Sequence, residues 1–402
     1  MIGLAEYRTQ SRRQAAPAFH PVAERPKGEL IWIQAGEPSS GRAKSDLARE
    51  LVRVRDGASV LLTTHEPELV PATENVIVER IPDDHPDLVE EFVKFWSPDI
   101  ALWVWGGLRP NLIQSSWKHG APLYLVDAGQ DGFDRGRDGW LPEVPRSLLA
   151  QFDAWFARSE AARLRLLQLG CLEEAVEQVP PLQPLGQTLP FVESDLDYLR
   201  AELTGRPIWF ARGVTRPELP CVLQAHKNAM RGAPRLLLIL EPANEADHAW
   251  MAEEFANADL RHTPWSDGAP PGESAQVLFA DVPGETGLWY SLASVSFLGQ
   301  SLDPEGSGCD PYEAAAHGSA VLYGPNVDQY LRSYSRLAAV SAARLISDAQ
   351  SLSTSVARLT SPDQAATMAM AAWDVVTAGA TASDRIITVV GEALDRRAGL
   401  SE

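Results

Sequence analysis

The sequence predicts an α/β chain made of two parallel-sheet domains. Three observations carry this. Short apolar runs alternate with helix-like runs through the first half of the chain. The same alternation restarts in the second half. A proline-rich stretch, "VPPLQPLGQTLP" (179–190), separates the two. Alternation of this kind implies parallel strands joined by crossover helices, and four prolines in twelve residues suit a connector between domains.

In the first half the strand-like runs are "ELIWIQA", "ASVLLTT", "ENVIVERI", "DIALWVWG" and "APLYLVDAG". Each is nearly continuous in apolar residues, as expected of strands covered on both faces. The helical runs between them include "AKSDLARELVRVRD", "PDLVEEFVKFW" and "NLIQSSWKHG". The run 147–170 then supplies one more strand and a helix ending at Gly170. In the second half the strands are "RPIWFAR", "PRLLLILEP", "SAQVLFADV", "ASVSFLGQS" and "SAVLYGP". The helices are "LPCVLQAHKNAM", "ADHAWMAEEFA", "GETGLWYSLA" and "DPYEAAAHG". The last fifty or so residues, from "ISDAQSLSTSVARL" on, read as helix. The expected layout is residues 1–185 as one Rossmann-like domain and 186–375 as a second. Residues 376–402 form a terminal helix that packs back on the first. Two such domains facing a cleft are the two-domain (GT-B) glycosyltransferase arrangement.

Composition limits the function. The chain has 402 residues, 45% of them hydrophobic and 22% charged, which is enough for ordinary cores. Its formal net charge of −19 argues against a nucleic-acid partner, because phosphate backbones need clustered Lys and Arg. Cys171, Cys221 and Cys309 lie far apart and form no CxxC pair, so no metal centre and no cofactor is expected. No run reaches the ~20 apolar residues of a membrane helix. The N-terminal stretch carries Arg8, Arg12, Arg13, Arg25 and Lys27. It reads either as a solvated leader or as a basic foot on a membrane surface. The expected place is the cytoplasm, with peripheral contact at the inner membrane left open. GxGxxG, GxxxxGK[ST], HExxH and GxSxG are all missing, which disfavours the common dehydrogenase, P-loop, zincin and hydrolase chemistries.

Ligands in parallel sheets bind beyond the carboxyl ends of the strands. Four segments fall there: "IQAGEPSSG" (33–41), "TTHEPE" (63–68), "VWGGLRPN" (104–111) and "VDAGQDG" (126–132). In the second half, "GSGCDPYEAA" (306–315) reads as a glycine-containing approach to a helix, with Asp310 as N-cap and Pro311 at the first helical position. Glu313, three residues on, fits either a capping box or a carboxylate that grips two ribose hydroxyls.

These segments resemble the 3-deoxy-D-manno-octulosonic acid (Kdo) transferases of lipopolysaccharide synthesis. The resemblance runs over about residues 28–335. "LLTTHEPE" is similar to the family's "TTxTPTG" turn, and "GGLRPNLI" to "TELWPNLI". "IPDDHPDLVEEFVKFWSPDIAL" follows a family stretch almost word for word. "FADVPGETGLWYSLASVSFLGQSLDPEGSGCDPYEAAAHGSAVLYGP" follows the family's nucleotide-side pattern. The resemblance implies two Rossmann-like domains and inverting transfer of Kdo from CMP-Kdo to a lipid A precursor. The implied partners are therefore a nucleotide sugar, a CMP-sugar first, and a glycolipid or other sugar acceptor.

The family's polar positions are altered here. Its general-base Glu, in "SVGE", falls on Ser40 by gap-free counting, and Glu37 lies three residues earlier. The two acids of "ETELWPN" fall on Trp105 and Gly107, and its Trp falls on Arg109. The Arg of "NARLS" falls on Gly129. A family Lys falls on Gln183, and the Arg and His of "PRHPER" on Ala243 and Asn244. "STHEGEE" becomes "GVTRPEL" (213–219), which brings in Arg216. "GGHN" becomes Ser307 through Asp310.

The expected site is therefore as follows. Glu37, Ser40 and Asp127 are the candidates at the base position. Gly284, Glu285, Gly299, Ser301, Asp310 and Glu313 would hold the nucleotide sugar, with backbone N–H groups near 284–286 and 299–301 on its phosphate. Arg109 and Asn111 would meet the acceptor. A silent paralogue that keeps the fold for binding or assembly, with exposed tryptophans as a partner surface, is the alternative. A hydrolase or epimerase using His65 and Glu66 is a third reading.

Overall fold

In the computed structural model, residues 3–13, 18–35, 41–130, 143–186 and 188–399 are described. The chain divides into two compact units, one of residues 1–185 with 378–402 and one of residues 186–377.

The first unit holds a seven-stranded parallel sheet in the order β3-β2-β1-β4-β5-β6-β7. Its strands are β1 (Leu30–Ala35), β2 (Ser59–Thr64), β3 (Val76–Arg80), β4 (Ile100–Val104), β5 (Leu123–Ala128), β6 (Ala154–Ala157) and β7 (Val176–Gln178). Strand order reverses between β1 and β4, which is where such sheets open a crevice. β1, β4 and β5 are buried at every position, as their unbroken apolar runs require.

Helices cover both faces: α2 (Gly41–Val54), α3 (Pro86–Trp96), α4 (Pro110–Lys118), α5 (Glu143–Leu149) and α6 (Glu160–Gln168). The sequence sets the ends of α3 closely. The His85 ring accepts from Asp87 N–H, Pro86 fits the first turn, and Ser97 in the left-handed region (φ 39°) stops the helix. Val89, Phe92, Val93 and Trp96 of its buried face share one core with Trp32 and Trp103 from the sheet. Burial of each large side chain contributes roughly 1.5–3 kcal/mol.

The N-terminal segment is more than a solvated leader. Residues Leu4–Arg12 form α1, and the Tyr7 hydroxyl donates to Asp84 at 2.9 Å. Leu4 and Phe19 pack against the same core. Arg25 donates through Nε to the Trp96 carbonyl at 2.9 Å, which ties this basic residue into the fold.

The second unit holds another seven-stranded parallel sheet, in the order β10-β11-β9-β8-β12-β13-β14. Its strands are β8 (Ile208–Val214), β9 (Leu237–Pro242), β10 (His262–Pro264), β11 (Val277–Phe279), β12 (Val295–Leu298), β13 (Ala320–Tyr323) and β14 (Ala343–Leu345). The helices are α7 (Glu193–Glu202), α8 (Leu219–Met230), α9 (His248–Asn257), α10 (Thr286–Leu292), α11 (Pro311–Ala316), α12 (Leu331–Ala339) and α13 (Ala349–Leu359). The reversal of strand order falls between β8 and β12. The backbone there is held close: a Cβ on Gly299 would lie 2.5 Å from the Gly213 carbonyl oxygen, so only glycine fits.

The last helix, α14 (Pro362–Ala398), serves both units in turn. Ala365 and Met368 enter one core of the second unit and Ala372 and Val376 the other, whereas Ile386, Val389, Val390 and Leu394 enter a core of the first. Arg385 holds Glu177 of β7 through two nitrogens. Among the described residues no helix is long and apolar enough to cross a membrane.

Most tryptophans serve the cores. Trp32, Trp96, Trp103, Trp209 and Trp289 are fully buried, while Trp117 and Trp373 are about half exposed.

Candidate active site

Glu37 and Ser40 lie outside the described residues. The other expected residues fall at the carboxyl ends of the two sheets, and each unit is taken separately.

In the first unit, β5 ends in an irregular turn. Asp127 sits in the left-handed region (φ 57°), which Asp tolerates better than most residues. The pairing of β5 with β6 slips between Leu125 and Ala128 as a result. The Asp127 carboxylate is buried and accepts from Leu182 N–H at 3.1 Å. It therefore anchors the chain as it leaves β7. Just beyond, Gly129 lies under the guanidinium of Arg158, which follows β6.

Arg109 and Asn111 stand at the start of α4, and both reach the loop before α3. Arg109 donates to the Pro82 carbonyl. Asn111 donates through its side chain to the Asp84 carbonyl at 2.6 Å. The Asp84 carboxylate in turn accepts from Asn111 N–H at 3.1 Å and Leu112 N–H at 2.9 Å. Asp84 thus caps α4 from a distance, and Asn111 is buried in that clamp. The family-like "IPDDH" stretch is the other half of this clamp. His65 and Glu66 are both exposed after β2, where the His65 carbonyl accepts from Arg80.

In the second unit a charged cluster stands at the carboxyl ends of β8 and β9. Arg212 of β8 donates to Glu313 of α11 at 2.6 Å and lies 3.8 Å from Glu241 of β9. Thr286, at the start of α10, donates its hydroxyl to Glu241 at 2.8 Å. The guanidinium sits 5.9 Å from the Tyr290 ring centre. Burial works against the Arg212 charge, but the surrounding Tyr290, Cys309, Glu313 and Glu241 outweigh it and hold the arginine charged. Burial pushes the Glu241 carboxyl up, and Arg212 and Thr286 oppose that in part. It pushes the Cys309 thiol up to about 12, so this cysteine is no nucleophile.

Asp310 caps α11 by accepting from Tyr312 N–H at 3.0 Å. Glu285 is the N-cap residue of α10, after Gly284 in a left-handed turn (φ 87°). Burial raises the Glu285 carboxyl. Further along α10, Ser291 shares a hydrogen with His317 at 2.8 Å, and the His317 ring accepts from Leu189 N–H at 2.8 Å.

The turn 299–302 departs from expectation. Its amide groups were expected to cradle a phosphate. They hold the buried Glu218 instead: Gln300 N–H donates to Oε2 at 2.8 Å, and Ser301 and Leu302 N–H donate to Oε1 at 3.0 and 2.8 Å. Thr215 adds its N–H at 3.0 Å and its hydroxyl at 3.2 Å. A resident carboxylate satisfies the donors that a phosphate would need. Ser301 is equally committed, since its hydroxyl donates to the Leu298 carbonyl and accepts from Gly324 N–H at 2.7 Å.

Sequence reasoning named Glu313, Glu285, Asp310, Gly284, Gly299 and Ser301 but missed Arg212, Glu218 and Glu241. The signal was thin: "RPIWFAR" ends an apolar strand in a cation, and "LILEP" ends one in an acid. A charge at the last position of a parallel strand marks a ligand-end group. Among the described residues no group of three or more His, Cys, Asp or Glu could hold a metal ion.

A family profile described as "3-Deoxy-D-manno-octulosonic-acid transferase (kdotransferase)" matches residues 8–183. The chain is 28% identical over 385 residues to the 3-deoxy-D-manno-octulosonic acid transferase of Bordetella pertussis, covering 89% of this chain and 86% of that one. It is 26% identical over 333 residues to a protein of Arabidopsis thaliana described as a probable mitochondrial 3-deoxy-D-manno-octulosonic acid transferase, covering 77% and 72%. A solved structure of the C-terminal CMP-Kdo binding domain of WaaA from Acinetobacter baumannii is 24% identical. It covers 46% of this chain and 96% of that one, with a TM-score of 0.44.

Proposed function

We propose that this chain, which belongs to the 3-deoxy-D-manno-octulosonic-acid (Kdo) transferase family, takes a Kdo-like sugar from a CMP-sugar and transfers it with inversion to a glycolipid or other sugar acceptor. The observation that carries the donor half is the placement of Glu313. Its carboxylate stands at the head of α11, beyond the carboxyl ends of β8 and β12, where a nucleotide ribose would lie. Arg212 keeps it oriented. Gly284 and Glu285 stand at the neighbouring turn, which would face the phosphate and sugar. The base is assigned to Glu37, the carboxylate two residues beyond β1 in sequence, because a serine at position 40 cannot take up a proton at neutral pH. Arg109 and Asn111 shape the acceptor side by fixing the loop before α3 to the head of α4.

One observation favours a second reading, a silent member of the family that binds without transfer. Glu218 occupies the amide groups of the 300–302 turn. Ala243 and Gln183 also lack the cations that the family resemblance places there.

Calorimetry with CMP, CMP-Kdo, UDP and GDP separates these readings from failure of both. The transferase reading expects CMP and CMP-Kdo to bind, transfer to a lipid A precursor, and loss of transfer in Glu37→Ala. Binding of CMP-Kdo without turnover selects the silent reading. Absence of binding to every nucleotide overturns the donor site altogether.

A further inference from the structure

We propose that Arg158, seated over Gly129, forms an oxyanion-binding subsite for the sugar acceptor at the carboxyl edge of the first unit's sheet. The inference deepens the transferase reading and rests on it for the word acceptor; the anion site itself rests on geometry.

β5 and β6 are neighbours, and Arg158 N–H donates to the Ala128 carbonyl at 3.0 Å. This bond lays the residue after β6 against the residues that leave β5. The side chain then folds over Gly129. A Cβ built on Gly129 would meet Nη2 of Arg158 at 2.5 Å, Cζ at 2.9 Å and Nε at 3.1 Å. Glycine is thus what lets the guanidinium plane rest on the backbone here. The bend beneath it is fixed, because Asp127 is tied to Leu182.

Arg158 is exposed, and among the described residues its guanidinium makes no hydrogen bond or ion pair. That is a notable vacancy in a chain with 54 acidic and 35 basic residues. Arg55, Arg212, Arg216 and Arg385 each hold a carboxylate. At the strand ends where this fold class takes ligands, Arg158 presents its fork to solvent. A guanidinium fork matches the paired oxygens of a carboxylate or a phosphomonoester.

The test is a titration of the full chain, followed by NMR, with three matched probes: glucose 6-phosphate, glucuronate and glucose. Wild type is expected to bind one of the two anionic sugars at least tenfold more tightly than glucose, and the stronger of the two identifies the oxyanion. Arg158→Ala is expected to lose this preference at least fivefold, and Arg158→Lys to keep part of it. Gly129→Ala is expected to behave like Arg158→Ala, because its new methyl occupies the place of the guanidinium while leaving Arg158 in the chain. Arg158 is exposed, so unchanged melting is expected of its two variants, whereas Gly129 is buried beneath the guanidinium, and a melt of Gly129→Ala checks that the fold is kept. The proposal is overturned if wild type shows no anionic preference, or if Arg158→Ala and Gly129→Ala retain it. Binding of CMP, measured separately, is expected to be the same in all four proteins. Failure of wild type to bind CMP overturns the donor reading and leaves the anion site standing.

Discussion

Arg212 and Glu313 form a 2.6 Å ion pair at the carboxyl edge of the second sheet, and Glu241 stands 3.8 Å from the same guanidinium. One cation therefore serves two acids. Removing it takes from both the cation they share, in a partly buried place where breaking a pair costs far more than the intact pair contributes. Arg212→Met is expected to destabilise the protein by about 2 kcal/mol, read from urea melts. Glu313→Gln keeps a hydrogen bond to Arg212 and leaves Glu241 as its partner, so its cost is expected to stay below about 1 kcal/mol. If Glu313 grips the ribose, the same Gln variant weakens CMP at least tenfold in calorimetry. A stable Glu313→Gln protein with unchanged CMP affinity would remove Glu313 from the donor site.

Glu218 makes the opposite kind of contact: it needs no cation because backbone donors surround it. Its two oxygens accept from the N–H groups of Thr215, Gln300, Ser301 and Leu302. Glu218→Ala orphans four buried or half-buried donors and is expected to cost about 3 kcal/mol. The emptied nest should then take an oxyanion. Added sulfate or phosphate is expected to raise the melting temperature of Glu218→Ala more than that of wild type. Equal effects on both proteins would show that the turn is not an anion cradle.

These two sites also show what the sequence could and could not convey. Continuous apolar runs such as "ELIWI" and "LLLIL" marked buried parallel strands, because in this fold both faces are covered. His85-Pro86 and Asp310-Pro311 marked helix starts by their caps. The three-residue edge strands β7, β10 and β14 gave no such signal, since their pairing comes from the neighbouring strand rather than from their own pattern. Arg212, Glu218 and Glu241 were hidden for a related reason. Each is a single charge beside an apolar run, and each acquires its meaning from residues 45 to 101 positions away. Arg158 is hidden further, because its contact is with a glycine. Asn111 was legible as a residue of a family-like stretch, but its clamp on Asp84 required the fold.

Asp127 offers a clean separation of structural and chemical roles. Its carboxylate accepts from Leu182 N–H, and its backbone is left-handed. Asn supplies the same acceptor and tolerates the same backbone, but it cannot act as a base near neutral pH. If Asp127 only anchors the turn, Asp127→Asn is expected to keep transfer activity and stability close to wild type, while Asp127→Ala loses about 1–2 kcal/mol from the lost bond and the unfavourable φ. A stable Asp127→Asn protein with transfer reduced a hundredfold or more would instead give Asp127 the base role proposed for Glu37.

Glu79 makes stability depend on pH. It lies on β3, paired with Thr63 of β2, and is buried with one carboxylate oxygen that has no hydrogen-bond partner. Burial raises its carboxyl to about 7 from an ordinary value near 4.5. Below about pH 4 the folded and unfolded chains both hold the proton, and the residue contributes no pH dependence. Between about pH 4.5 and 7 the unfolded chain releases the proton while the folded chain retains it, so stability falls as pH rises. Above about pH 7 both states are ionised, and the loss has reached its full size of at most about 3 kcal/mol. Glu79→Gln stays neutral throughout and keeps the shape of the side chain. It is expected to be more stable than wild type at pH 8 and nearly equal to it at pH 4.5, in urea melts at both values. A Gln variant whose stability differs from wild type by the same amount at both pH values would show that Glu79 ionises in the fold as freely as it does in water.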